Sequence, residues 1–340
     1  MRDMLDAMTP QRTIRFLLFN LATLICLVAT GCKAPQAFGD RNSIIVRAEP
    51  ELWAEVDSAV MDALEVRVYT TRPERVFEIT HLAPDDTAWN DFRLWQQLLV
   101  MGTARDELVQ DLIDADTTPP ALLQTESVWA RGQTVTVLLL PETGQAEAVR
   151  GTLPQLYSTL EEDYDEWILQ RMFTTGVDDS LGQALTEFGF TLRIPEVYIH
   201  SREDSIFRFG NPHRMGETDL LRSLLLTWRA DADTMMTPEE LRAWREEIGA
   251  NRYGTPQDIL EQGYRHSAIE VNGLEGIELR GVWQDRSEFP AAGPFVTRAL
   301  ACPAQDRTYL IDAWLFAPGT DKYPYVRQLE ILLNSFECVT

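Results

Sequence analysis

Two arginines, Arg12 and Arg15, precede a mostly apolar run from Phe16 to Ala29 that ends in Thr30-Gly31-Cys32. A helix crossing ~30 Å of hydrocarbon needs ~20 apolar residues, and this run is shorter and interrupted by Asn20 and Thr23. A basic start, a short apolar core and small residues at its end are instead the parts of a secretory signal peptide. Residues 1–31 are therefore expected to be removed, which leaves the folding problem to residues 32–340.

Ala29-Thr30-Gly31-Cys32 resembles a bacterial lipobox, in which small residues precede a cysteine that receives diacylglycerol and becomes the new N-terminus. The resemblance implies lipidation at Cys32 and a membrane partner through the anchor. It places the protein on the periplasmic face of a bacterial membrane, the outer membrane in preference to the inner. Each buried CH₂ contributes ~0.8 kcal/mol, so one acyl chain holds marginally and two or three hold firmly. Residues 32–42 show no periodicity and read as a lipidated tether.

Apolar residues make up 45% of the chain, enough for sizeable cores. At ~100–200 residues per domain, the remainder fits two units, residues 43–175 and 176–340. The formal charge of −23 repels nucleic-acid phosphates, so no nucleic-acid partner is expected. Lys33 and Lys322 are the only lysines among 30 basic residues, which fits a salt-adapted or arginine-biased chain and carries nothing about activity. Cys302 and Cys338 remain after processing, and in an oxidising compartment an even pair predicts a disulfide tying the C-terminus to a strand.

The spacing predicts a strand at 44–48, a helix over 51–64, strands at 66–69, 76–81 and 94–101, and a helix over 104–115 capped by Thr103. A hairpin of 126–130 with 134–140 and a long helix over 152–173 follow. A helix at 181–188 leads to strands at 190–194, 197–200, 206–209 and 220–228. Thr237-Pro238 opens a helix, and Thr255-Pro256 is expected to open another. Strands at 277–283, 295–302 and 308–317 and a helix over 323–336 close the chain. The fold class is α+β: two similar units, each a mainly antiparallel sheet packed against helices, with one interleaved sheet as the competing arrangement.

The C-terminal third carries a pattern. Gly276-Ile-Glu-Leu-Arg-Gly-Val-Trp283, Ala292-Gly-Pro-Phe-Val-Thr297, Tyr309-Leu-Ile-Asp-Ala-Trp-Leu-Phe-Ala-Pro318, Tyr325-Val-Arg-Gln-Leu-Glu330 and Asn334-Ser-Phe336 fall in sequence. With the lipobox, this resembles the uncharacterised Bacteroidota lipoprotein family labelled DUF4837. The resemblance implies placement in the cell envelope and brings no activity, cofactor or catalytic residue. The strand ending in Ala-Pro and the helix ending in Asn-Ser-Phe also resemble the close of PsbP/Mog1-like α/β sandwiches, a likeness of fold alone.

The four histidines are far apart and none forms a His-x-x-x-His or Glu-x-x-His pair, so no metal site is expected from local spacing. Asp231-Ala-Asp233 opens like a calcium loop but lacks its glycine and twelfth-position Glu, and reads as a solvated turn. No nucleophile elbow, phosphate loop or dinucleotide fingerprint occurs, and no catalytic residue or cofactor is assigned. Arg202, Arg208, His213 and Arg214 concentrate donors in a Gly- and Pro-containing segment, 202–219, read as a loop that could contact an anion or glycan. Trp283, Phe295, Trp314 and Phe316 are read as sheet core. The resulting expectation is a noncatalytic binding or assembly accessory of the envelope, with a protein partner there. The alternative is a hydrolase of envelope glycan or peptide, which needs two carboxylates ~5–10 Å apart across a cleft. A small-ligand binder would instead show an apolar pocket with few polar groups.

Overall fold

The computed structural model describes residues 34–215, 218–230 and 236–339. Residues 1–31, expected to be a signal peptide, and Cys32 and Asp231-Ala-Asp233 lie outside the described residues. No helix among the described residues is long and apolar enough to cross a membrane.

The first half contains β1 (Ser43–Arg47), α1 (Pro50–Leu64), a small hairpin of β2 (Arg67–Tyr69) and β3 (Pro73–Arg75), and β4 (Glu78–Leu82). It continues through α2 (Trp89–Phe92), β5 (Gln97–Thr103), α3 (Glu107–Gln110), β6 (Ala121–Glu126), β7 (Thr134–Leu140) and α4 (Gln145–Met172). Its main sheet has the order β4-β1-β5-β7-β6. β1, β5 and β7 are near-continuous apolar runs, buried almost throughout. Such runs suit strands covered on both faces, the usual setting of parallel pairing. Accordingly β1 pairs in parallel with β4 and β5, and β5 with β7, while the β6–β7 hairpin is antiparallel. Helices α1 and α4 cover one face through Val56, Val60, Leu156 and Leu160; Trp89, Phe92, Trp95 and Trp129 cover the other.

The second half holds α5 (Asp179–Thr186), β8 (Phe190–Thr191), β9 (Ile199–Glu203), β10 (Ile206–Met215), β11 (Thr218–Ala230) and α6 (Pro238–Asn251). β12 (Gln257–Val271), β13 (Leu274–Asp285), β14 (Ala292–Cys302), β15 (Arg307–Phe316), α7 (Tyr323–Asn334) and β16 (Glu337–Cys338) complete it. Its seven-stranded sheet, β12-β13-β14-β15-β11-β10-β9, is antiparallel throughout. α5 and α7 cover one face around Leu224, Ile311, Leu329 and Leu333, and α6 covers the other around Leu225, Leu241, Trp244 and Leu310. The expected two α+β units, each with a sheet packed against helices, are therefore observed. The expected mainly antiparallel pairing holds for the second unit and is corrected for the first, where three of the four pairings in the main sheet are parallel because its central strands are buried on both faces. Tyr323 of α7 also packs into the core of the first unit, so the last helix is shared.

Several local expectations are corrected. From Gln36 onward the segment expected as a tether is bound to the body. Gln36 bridges Arg131 and Phe38 bridges Trp95. Buried Arg41 binds Asp163 at 2.7 Å and Thr134 at 2.6 Å. The helix expected over 104–115 is only α3, because the Asp106 carboxylate caps it at Leu108 N–H while also holding Arg47. The hairpin uses 121–126 rather than 126–130; Ser127, at φ 56°, turns the chain away. α4 begins at Gln145 and carries Pro154 inside it, its apolar stripe extending back to Val149. Of segment 202–219, residues 202–215 belong to the strand pair β9–β10 and residues 218–219 to β11, with the first turn closed by Asp204 at φ 54°. Thr255-Pro256 opens a strand, not a helix: β12 and β13 form a long hairpin joined at Asn272-Gly273, both at positive φ.

Candidate functional site

On the α6 side of the second sheet a cavity of about 310 Å³ opens between β13, β15 and the turn after α6. The sheet brings its aromatic wall together by register: Trp314 sits opposite Phe295 on β14, and Trp283 opposite Gly293. The Trp283 and Trp314 rings meet edge-on with centroids 5.3 Å apart, Tyr253 meets Trp314 edge-on at 5.6 Å, and Phe316 lies 6.3 Å from Trp283. Trp283 is held by its Nε1–H, which donates to Leu315 O at 3.1 Å. Glycine is required at 293, where a Cβ would fall 1.8 Å from that carbonyl and 3.0 Å from the indole nitrogen. Trp283, Trp314 and Phe316, read from sequence as core, therefore line a cavity; Phe295 alone of the four is buried core without lining it.

Beneath the aromatic wall lies a buried charged cluster. Arg245 of α6 and Asp312 of β15 are both 0% exposed, with Arg245 Nε 3.5 Å from Asp312 Oδ1. Asp312 also accepts from the Thr297 hydroxyl at 2.5 Å and from the Tyr253 hydroxyl. Arg245 Nη2 donates to Gln257 Oε1 at 2.7 Å, and its guanidinium stacks 4.4 Å from the Phe295 ring. Removing charges from water costs several kcal/mol per ion, so such a pair persists only with further hydrogen bonds, which Thr297, Tyr253 and Gln257 supply. Tyr253 edges the cavity with its ring and turns its hydroxyl inward. Burial first, and the Asp312 carboxylate second, push that hydroxyl well above the ordinary tyrosine pKa. Arg245 Nη1 and Trp314 Nε1 are buried without a hydrogen-bond acceptor.

The polar rim is modest. Asp285 accepts from the Ser287 hydroxyl at 2.7 Å and the Ser287 N–H at 3.0 Å, which together hold its carboxyl below the usual range. Two residues before rim residue Ala291, Phe289 stands 87% exposed. Apolar ring faces over a few fixed polar atoms form a cavity chemically suited to an apolar group, with Tyr253 and Asp312 already committed to each other.

Of the four donors singled out from sequence, Arg202, Arg208 and His213 do not converge. Arg202 stacks over Phe188 at 3.9 Å and donates to Asp204 O at 2.8 Å. Arg208 points to the opposite face, toward Arg252 O and Glu203. His213 lines a different cavity, beside α4 and α7, and Arg214 lies further along β10. Cys302 and Cys338 are joined as a disulfide. A third cleft holds Glu74, Glu78 and Asp321, but Glu74 is bound to backbone N–H groups of α7 and Asp321 to Arg72. Among the described residues, no three His, Cys, Asp or Glu side chains are placed to hold a metal. Sequence reasoning missed the aromatic pocket because its walls come from elements separated by up to 95 residues, Leu221 to Phe316; the Trp283 and Trp314 spacing alone reads equally as core.

No curated protein matches the chain significantly. Among solved structures, it is similar to the Ran-binding protein Mog1p of Saccharomyces cerevisiae at TM-score 0.33 and 11% identity, covering 46% of this chain and 93% of that one. LpqN of Mycobacterium tuberculosis, described as involved in cell envelope biogenesis, is similar at TM-score 0.29 and 10% identity over 44% of this chain and 83% of that one. PsbP of Synechocystis is similar at TM-score 0.29 and 10% identity over 45% and 88%. Residues 179–335, the segment that contains the whole aromatic pocket, match the model of a domain of unknown function, DUF4837.

Proposed function

We propose that the chain is a noncatalytic binding accessory of the bacterial cell envelope that holds a small apolar ligand in the aromatic pocket. The observation that carries this reading is the wall of Trp283, Trp314, Phe316 and Tyr253, fixed from behind by the Arg245–Asp312 cluster. Rigid rings over a pinned polar floor lose little entropy when a ligand arrives, which favours binding to a preformed site. Anchoring at Cys32, on the periplasmic face of the outer membrane, is supported by the basic and apolar run and by Ala29-Thr30-Gly31 before it.

The pocket is tested with a neutral phenylnaphthylamine probe, whose fluorescence rises on transfer to an apolar site. Saturable binding is expected in the unaltered chain. Ala291→Trp, which fills the cavity from its rim, should weaken it by about tenfold or more, the equivalent of ~1.4 kcal/mol. Equal binding by both chains would remove the pocket reading. Anchoring is tested by labelled fatty acid, which the unaltered chain should incorporate in its native cells and Cys32→Ser should not.

A further inference from the structure

A second cavity, of about 330 Å³, opens where the C-terminal end of α4 meets β10, β11 and α7. Its polar lining includes Arg171, Thr174, Asn211, His213, Arg222 and Gln328, and no carboxylate side chain is among its described lining residues. In a chain of formal charge −23, two guanidinium groups and an imidazole gathered without an acid go against the composition.

The sheet register builds the centre of the cluster. Asn211 pairs directly with Arg222, so their side chains stand on one face, and His213 follows two residues along on the same face. Arg222 Nη1 donates to Gln328 Oε1 of α7 at 2.5 Å, which fixes the guanidinium and leaves the amide's N–H₂ as the group Gln328 can offer. The guanidinium sits 6.0 Å from the Tyr325 ring centroid. Arg222 Nε is buried and has no acceptor. Near Arg222, Tyr198 is 6% exposed and its hydroxyl also lacks a hydrogen-bond partner. A buried donor without an acceptor costs about 1–3 kcal/mol, so Arg222, which lines the cavity, gains from one.

One effect works in the other direction. The C-terminal end of α4 carries a partial negative charge, about half an elementary charge, that falls off within a turn. Two guanidinium groups outweigh it, and Arg171 lies in that same last turn, where a cation is favoured.

We infer that this cavity binds a phosphate-type oxyanion, with Arg222 as its fixed cation, Arg171 and His213 at the rim, and Asn211, Thr174 and Gln328 as neutral donors. Arginine suits this task because its planar fork presents parallel N–H groups to two oxygens of one phosphate. The phosphate can be free in solution or carried by a lipid headgroup. The site is separate from the aromatic pocket, which lies on the other face of the sheet, and stands whether or not that pocket binds a ligand.

The test uses the full lipid-anchored chain in phosphatidylcholine vesicles, titrated calorimetrically with inorganic phosphate. Saturable binding is expected, weakened by about tenfold or more in Arg222→Met and left within about twofold in Arg208→Met, an equal charge change outside the cavity. His213→Gln, at an exposed position, should weaken phosphate binding severalfold without lowering the melting temperature, and so tests the site even if Arg222→Met does not fold. Adding phosphatidylglycerol separates the sources: loss of phosphate affinity beyond that caused by the same charge of oleate identifies a lipid headgroup, and equal loss identifies soluble phosphate. Absence of saturable phosphate binding, or equal weakening by Arg208→Met and Arg222→Met, overturns the inference.

Discussion

The carboxylate of Glu74 caps the last helix from the other half of the chain: its Oε2 accepts the backbone N–H of Tyr323 at 2.8 Å and of Lys322 at 2.7 Å. Thr70 donates to the other oxygen at 2.8 Å. The first N–H groups of a helix have no partner within it, and an anion there also meets the positive end of the helix dipole. Glu74 is buried, so these bonds are little screened. Glu74→Ala is expected to cost about 2–3 kcal/mol, the range for buried hydrogen bonds to a charged group. Asp321→Asn, at the exposed pair with Arg72, should change stability by less than about 0.5 kcal/mol. Urea unfolding measures both; equal midpoints for the two variants would mean that the cap does not join the halves.

The Arg245–Asp312 pair makes a stronger prediction. Asp312→Asn leaves Arg245 charged and 0% exposed, and breaking a buried pair from one side costs about 3–5 kcal/mol. Replacing both with apolar residues, Arg245→Met with Asp312→Leu, should cost less than Asp312→Asn alone, because no charge is then stranded. A double variant as unstable as the sum of its singles would show that the two residues act independently.

How much of this was legible in the sequence depended on whether the signal was local. Thr237-Pro238-Glu239-Glu240 announced a helix start, and the structure has the full capping box, Thr237 Oγ1 accepting from Glu240 N–H and Glu240 returning to Thr237 N–H. Asn272-Gly273 was equally local and was missed: the pair marks a two-residue hairpin with both central residues at positive φ, and weighing it would have outranked Thr255-Pro256 and made 257–271 a strand. The parallel pairings of β1 and β5 were announced by unbroken apolar runs, a pattern that alternation-based reading passes over. The sites were the least legible part. Arg222 occupies a strand like any surface arginine in sequence, and only α7, 106 residues on, gives it Gln328. Spacing along a chain holds no record of such meetings.

A line of alternating charges joins the two units and sets a pH dependence. Asp165 of α4 binds Arg327, Arg327 binds Glu330 at 2.6 Å, Glu330 binds Arg280, and Arg280 binds Glu278, which also takes Arg298 at 2.8 Å. Burial by itself would raise the Glu278 pKa, but Arg280 and then Arg298 outweigh it and hold the carboxyl below its ordinary value. A depressed folded pKa contributes stability that is present above the unfolded value, ~4.3, and is lost as pH falls through the folded one. Glu278→Gln should therefore be less stable than the unaltered chain at neutral pH by about 3 kcal/mol, with the gap narrowing below about pH 4. Urea midpoints across that range decide it; a gap independent of pH would place the contribution of Glu278 in its shape and not its charge.

The disulfide and the backbone hold the C-terminus by separate means, and their contributions can be separated. Cys302 and Cys338 lie 36 residues apart, a loop whose closure is worth about 4 kcal/mol in the chain-entropy account. Apart from the bond, Cys338 pairs with Phe190 in the β8–β16 ladder, Val339 N–H donates to Gly189 O at 2.9 Å, and Gln305 Nε2 donates to both Gly189 O and Val339 O at 2.6 Å. Those bonds exist only in the folded chain, whereas the entropic gain acts on the unfolded one. Cys338→Ser should thus lose up to about 4 kcal/mol in urea unfolding while the amides of Phe190 and Cys338 stay protected from hydrogen exchange in the native state. Loss of that protection together with the bond would show that the disulfide creates the ladder. Retained protection would show that packing of Phe336 and Phe190 positions the two sulfurs first.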